Sequence, residues 1–255
     1  TTNTQPVMLT AGIACYRAWL AETGRAPSVV AGHSLGEYAA LVAAGALTLA
    51  DALPLVRFRA QAMQDAVPVG AGAMAAILGL DAQAVVDGCA EAAGVTGEPV
   101  QAANFNDPKQ TVIAGSKAGV DKACELLKAR GAKRALLLAV SAPFHSSLMK
   151  PAADRLKDRL VGVAVATPVI PVVNNIDVRA ESAPDAIRDA LYRQAYGPVR
   201  WVEVVQAIRA RGVTHVFECG PGKVLAGIVK RVDAEAVAAG VFDPASLADA
   251  KAMLS

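Results

Sequence analysis

The sequence predicts an α/β fold with a mainly parallel sheet and helices on both faces. Three features carry that expectation: short apolar runs alternate with helical patterns, a Gly-x-Ser-x-Gly turn joins the first strand to its helix, and a βαββαβ run sits mid-chain. At 255 residues, 54% of them apolar, the chain has the material for one large domain or two modest ones around a substantial core. The formal net charge is only +2, and no stretch interleaves aromatics with clustered basic residues, so nucleic-acid binding has no support. No apolar run is long enough to cross a membrane and no secretory signal opens the chain, so a cytoplasmic location is expected. The scattered cysteines Cys15, Cys89, Cys124 and Cys219 form no Cys-x-x-Cys pair. They read as small hydrophobes in a reducing compartment rather than a disulfide or zinc framework.

In chain order, Pro6 to Leu20 is predicted to be a helix, with Met8, Leu9, Ile13 and Trp19 at near-helical spacing. Val29 to Ala31 is a short buried strand and Leu35 to Ala44 a helix. Thr48 and Asp51 resemble a capping box that opens a helix to about Ala66. Met74–Leu78 reads as a strand and Ala82–Ala93 as a helix. Val100–Asn104 and Thr111–Ala114 read as strands joined by a turn at Asn106-Asp107-Pro108, followed by a helix, Gly119–Arg130, and a strand, Ala135–Val140. This βαββαβ order is that of a ferredoxin-like module. Beyond it the patterns give a helix Met149–Leu160, a strand Val169–Val173, helices Pro184–Ala195 and Val199–Ala210, a strand Val213–Phe217, and a helix carrying Val224 and Ile228 after Gly220-Pro221-Gly222-Lys223. The expected organisation is a core of residues 1–67 and 141–255, with the ferredoxin-like subdomain as 68–140.

The chemistry gathers at Gly32-His33-Ser34-Leu35-Gly36. A Gly-x-Ser-x-Gly between strand and helix is the sequence form of a nucleophile elbow, which lifts one serine hydroxyl above a sheet. The flanking glycines are expected to permit backbone crowding, and the helix N-terminus aims N–H groups at any anion forming there. Ser34 is therefore the candidate nucleophile for acyl transfer. Of the three histidines, His33 on an extended strand end would point away from Ser34, and His215 sits in a half-buried strand. His145, in the loop Ser141-Ala142-Pro143-Phe144-His145-Ser146 at a strand end, is the candidate base.

Gly32-His33-Ser34-Leu35-Gly36-Glu37-Tyr38 resembles the active-site signature of the malonyl-CoA:acyl carrier protein transacylases of fatty-acid synthesis. Gly72-Ala73-Met74-Ala75-Ala76-Ile77, the Val140 to His145 segment, Pro171-Val172-Val173-Asn174-Asn175 and Gly220-Pro221-Gly222-Lys223-Val224-Leu225 match in the family's order, over nearly the whole chain. The resemblance implies an α/β-hydrolase-like core carrying the ferredoxin-like subdomain, with the active site in the cleft between them. It makes Ser34 the acylated nucleophile and His145 its base, oriented by a main-chain or amide carbonyl at Gln194. It selects Arg59 over Arg57 as the residue that grips the malonyl carboxylate, a choice periodicity leaves open. The Leu35 N–H should donate to the oxyanion, as the residue after the nucleophile does in elbow folds. Asn104 and Asn106 are candidates for touching the pantetheine, and turn chemistry explains Asn106 about as well.

The implied reaction is a ping-pong transfer from malonyl-CoA to acyl carrier protein, without metal or redox cofactor, by a monomer. The carrier in such systems is acidic, so Lys117, Lys122, Lys128, Lys133 and Arg134, or Lys150 and Arg155, could receive it. Members of that family begin with a strand and a Gly-Gln-Gly-Ser-Gln motif, whose first glutamine helps form the oxyanion hole. No such motif occurs here, so the core is read as N-terminally incomplete. Either the segment lies outside these residues or this is a truncated form that binds carrier protein with impaired catalysis. A serine esterase or thioesterase with a triad such as Ser34, Asp177 and His215 is the competing reading. A polyketide-synthase acyltransferase domain is a closer cousin, argued against by free-standing length.

Overall fold

The computed structural model describes residues 2–254 and shows an α/β chain of alternating helices and strands. Helix α1 (Thr4–Thr23) leads through β1 (Val30–Ala31) into α2 (Gly36–Ala43) and α3 (Leu49–Asp65). These helices bury Leu9, Ile13, Tyr38, Leu41, Leu55 and Met63 in one cluster, which closes against α6 (Lys150–Val161) and α7 (Pro184–Gln194). Burying this much aliphatic and aromatic surface is the main drive to fold. The start of α3 is set by Thr48, whose hydroxyl accepts the Asp51 N–H at 3.0 Å.

The middle of the chain forms a four-stranded antiparallel sheet: β2 (Gly72–Leu78), β3 (Val100–Asp107), β4 (Gln110–Ser116) and β5 (Arg134–Leu137), in the order β3-β4-β2-β5. Helices α4 (Ala82–Thr96) and α5 (Lys117–Ala129) cover one face, packing Val85, Cys89, Val120 and Leu127 on Ile77 and Ile113. The β3–β4 hairpin differs from expectation. Asn106 and Asp107 belong to β3, Asp107 pairs with Gln110, and only Pro108 and Lys109 form the turn. Proline, lacking an N–H, sits where the ladder asks for no donor. The strand expected to reach Val140 ends at Leu137.

The parallel pairing of the core is present as two short ladders. β1 pairs with β6 (Val172–Val173), and β7 (His215–Cys219) pairs with β8 (Val237–Val241). Among the described residues they do not join into one sheet. An apolar cavity of about 480 Å³ lies between them, lined by Val30, Ala31, Val216 and Phe217 together with Ile13 and Trp19. Helices α8 (Trp201–Arg209) and α9 (Val224–Val232) pack Trp201, Val204 and Ile228 around Val173 and Ala238. Strand β8 and the closing helix α10 (Pro244–Ala252) were not anticipated. β8 reads Val-Ala-Ala-Gly-Val, too poor in branched and aromatic side chains to announce a strand, and its parallel neighbour β7 supplies what local propensity lacks. No helix among the described residues is long and apolar enough to cross a membrane.

Candidate active site

Strand β1 ends at Ala31, and the chain turns into α2 through Gly32 and Ser34, the latter at φ 52°. A Cβ on Gly32 would lie 1.9 Å from the Gly36 carbonyl carbon and oxygen, so this glycine is demanded by the turn. Gly36 is different, contrary to the sequence expectation: a Cβ there meets nothing within 4 Å. The elbow is gripped from two sides. Asn175 accepts the Ser34 N–H on Oδ1 at 2.7 Å and donates its Nδ2 to the Gly32 carbonyl at 2.8 Å. Gln194 donates its Nε2 to the Ser34 carbonyl at 2.9 Å. The Leu35 N–H, at the open first turn of α2, donates to no acceptor among the described residues.

His145, at φ 58° in the loop before α6, places Nε2 2.6 Å from Ser34 Oγ. Its Nδ1 faces two main-chain carbonyls, Gln194 at 2.9 Å and Gly197 at 3.2 Å. Carbonyls only accept, so Nδ1 carries the proton and Nε2 is free to take one from Ser34. Gln194 thus orients the histidine through its backbone, while its side chain serves the elbow and Arg59. Burial, helped by the nearby Arg59 charge, pushes His145 down to about 3, which keeps the imidazole neutral and basic at physiological pH.

Arg59 leaves α3 into the same space and is 2% exposed. Its Nη2 donates to Ser34 Oγ at 3.2 Å and to Gln194 Oε1 at 3.0 Å, and its Nη1 donates to Gln5 Oε1 at 2.8 Å. The guanidinium carbon lies 5.5 Å from the Tyr38 ring centroid. Burial lowers the Arg59 pKa from its ordinary value, yet no carboxylate pairs with it directly among the described residues. A buried guanidinium beside a serine hydroxyl suits a substrate anion. Arg57, two residues earlier, points to solvent.

Four predicted residues, Ser34, His145, Arg59 and Gln194, therefore meet within hydrogen-bonding distance, with Leu35 beside them. Asn106 accepts from His33 Nε2 at 2.9 Å rather than shaping a turn, and His33 stacks edge-on against Trp201. Asn104 is buried in β3, where it bridges to Val199, and is not bonded to the cluster. The competing triad does not form: Asp177 takes both Nη groups of Arg193 at 2.7 and 2.6 Å, and His215 Nδ1 pairs with Thr214 Oγ1. Of the candidate docking cations, Lys117, Lys122, Lys150 and Arg155 are paired with acids of this chain. Sequence reasoning missed Gln5, Gly197 and the roles of Glu37 and Asn175. Glu37 Oε2 accepts from Asn175 N at 2.9 Å and from Gln194 Nε2 at 3.0 Å. The available signals were Glu37 within the elbow signature and the Asn174-Asn175 pair, neither of which announces a partner.

The family described as "Acyl transferase domain" matches residues 1–243. The malonyl CoA-acyl carrier protein transacylase of Escherichia coli K12 is 52% identical over 250 residues, which are 98% of this chain and 80% of that protein. The crystal structure of an acyl-carrier-protein S-malonyltransferase from Burkholderia pseudomallei 1710b superposes with a TM-score of 0.96 at 67% identity, covering 99% of this chain and 81% of that one. A malonyl-transacylase solved in complex with its type II PKS acyl-carrier protein matches at 50% identity and a TM-score of 0.96, over 99% of this chain and 81% of that one.

Proposed function

The chain belongs to the acyl transferase domain family, and from that premise we infer that it is a malonyl-CoA:acyl carrier protein transacylase of fatty-acid synthesis. The observation that carries the chemistry is the pair of contacts on Ser34 Oγ, one from a neutral histidine and one from a buried arginine. The reaction runs in two halves. Ser34 Oγ attacks the thioester carbonyl while its proton passes to His145 Nε2, and the resulting oxyanion takes the Leu35 N–H. The carbon–sulfur bond then breaks and the leaving thiolate of CoA takes the proton from His145. In the second half the phosphopantetheine thiol of acyl carrier protein gives its proton to His145 and attacks the malonyl ester. The carbon–oxygen bond breaks and Ser34 recovers its proton.

Arg59 holds the malonyl carboxylate through the N–H groups not engaged by Gln5 and Gln194, which separates malonyl from acetyl by one buried charge. Asn104 and Asn106 are read as pantetheine contacts; with its Oδ1 engaged by His33, Asn106 has its amide N–H groups to offer. The core, residues 1–67 and 141–255, is read as α/β-hydrolase-like on the strength of its parallel ladders and elbow. The unit 68–140 is read as ferredoxin-like from its βαββαβ order and antiparallel sheet.

Intact-protein mass spectrometry after incubation with malonyl-CoA, and separately with acetyl-CoA, tests the reading. A malonyl adduct that vanishes in Ser34→Ala is expected, with little acetyl adduct. Arg59→Ala should lose malonyl transfer by roughly a hundredfold and narrow the preference over acetyl. Equal labelling by both thioesters in the unsubstituted protein would contradict the clamp.

A further inference from the structure

The mechanism leaves a buried carboxyl beside the site unused. Glu37, on the first turn of α2, is 2% exposed, as is Arg59 on α3, and the two carry opposite charges inside the same packed cluster. They do not touch; the Gln194 side-chain amide stands between them. Its Nε2 donates to Glu37 Oε2 at 3.0 Å and its Oε1 accepts from Arg59 Nη2 at 3.0 Å. An amide's positive end faces the anion and its negative end the cation, so the two charges fix which way Gln194 points. Resting on the malonyl-transfer reading, we propose that Glu37 is a specificity-setting positioning residue: across the Gln194 amide it is the counter-ion of Arg59 and sets how strongly that guanidinium holds a substrate carboxylate.

The charges facing Glu37 from the elements around it are few. Arg59 faces it from α3. Asp177 adds negative potential from the segment after β6 but is itself tied to Arg193 of α7. Glu181 lines a small cavity with it, beside Leu41, Val172 and Ile187. Burial pushes the Glu37 carboxyl up to about 7, the hydrogen bonds from Gln194 and Asn175 and the Arg59 charge working against that rise. With Glu37 ionised, the bridged pair is neutral; with Glu37 protonated, it is a net cation. A malonyl carboxylate entering beside Arg59 therefore meets a stronger field below about pH 7 than above it. By linkage, its binding draws a proton onto Glu37. An acetyl group has no charge to respond.

Glu37→Gln isolates the charge, because one oxygen, Oε2, accepts both the Asn175 and the Gln194 hydrogen bonds, and a glutamine carbonyl can keep both. The experiment measures the KM for malonyl-CoA from pH 6 to 8.5, with acetyl-CoA as the uncharged control carrying the same CoA phosphates. In the unsubstituted protein the malonyl KM should rise about tenfold relative to the acetyl KM across that range, one pK unit of coupling. In Glu37→Gln the rise should vanish, and the malonyl KM at pH 8.5 should fall below that of the unsubstituted protein. A merely structural lesion does not tighten substrate binding. The same malonyl pH profile in both proteins would overturn the proposal. Should the variant not fold, a malonyl-to-acetyl KM ratio that is flat with pH in the unsubstituted protein overturns it alone. Failure of the transferase reading is told apart from this: the unsubstituted protein would then form no malonyl adduct at any pH.

Discussion

Ser34 and His145 both hold positive φ, 52° and 58°, a conformation that costs a non-glycine residue about 1 kcal/mol or more. The hydrogen bonds that Asn175 and Gln194 make to the elbow hold Ser34 there. Gly32 is as constrained as the serine, and Gly36 is not. Gly32→Ala should therefore abolish acyl-enzyme formation, while Gly36→Ala should keep most of it; equal damage from both would contradict the steric assignment. The buried ionisable groups predict a pH signature as well. Glu37 is held at about 7, above its ordinary 4.5, so its contribution to stability is complete below pH 4.5 and is lost as pH rises through 7. His145, held at about 3, works oppositely, and its contribution fades as pH falls below 6.5 toward 3. Urea unfolding should show Glu37→Gln gaining on the unsubstituted protein by about 3 kcal/mol between pH 5 and pH 9, the linkage value of a shift of this size. At this scale the sequence announced Ser34 and His145, because a strand-turn-helix motif and a loop at a strand end are local patterns. Gln5, Asn175 and Glu37 were illegible as partners, since each acquires its role from a residue at least 54 positions away.

Helix α3 shows how far an element can be read alone. Its cap was visible in Thr48 and Asp51, and most of its apolar face in Val56, Ala60 and Met63; the spacing also put Leu53 on that face, where the structure half-exposes it and buries Leu55 instead. Arg57 and Arg59 are two residues apart, which on a helix places them about 200° apart, so no more than one can face the core. Periodicity left the choice open because both flank the stripe; packing settles it, with Tyr38 of α2 and Gln5 of α1 lying where only Arg59 reaches. Thr48→Ala should lower stability by about 1 kcal/mol in urea titration. The malonyl rate at ambient temperature should stay near normal, because Arg59 is anchored by side chains far from the cap. A large rate loss without a stability loss would mean that the start of α3 aims the arginine. The same limit of local reading explains β8 and the far end of β3. An alanine-rich strand and an Asn-Asp-Pro segment each look like something else until a neighbouring strand pairs with them.

In the whole molecule, the elbow is built on a seam. Strand β3 of the antiparallel sheet is joined to the segment between α7 and α8 by Phe105 N donating to the Val199 carbonyl and Val199 N donating to the Ala103 carbonyl, both at 2.9 Å. Side chains reinforce the join at His33–Asn106 and at Asp107–Arg231, the latter 2.7 Å. These two contacts differ in environment and so in consequence. Arg231 is 52% exposed, so its ion pair is screened and worth at most about 1 kcal/mol. His33 lies one residue before Ser34, packed on Trp201, and burial lowers its pKa, so it donates to Asn106 as a neutral imidazole. Removing that acceptor strands a donor in the seam, at a cost of about 1–3 kcal/mol, and frees the strand end that presents Ser34. Asn106→Ala should thus lower both stability and the rate of Ser34 malonylation, the rate by about tenfold, while Asp107→Asn should leave the rate unchanged. If both variants lost only stability, the antiparallel sheet would be bracing the elbow's surroundings without aiming Ser34. A fall in the malonylation rate at saturating malonyl-CoA, confined to Asn106→Ala, would show that the seam passes its geometry to Ser34 through His33, whereas a rise in KM alone would report a lost pantetheine contact.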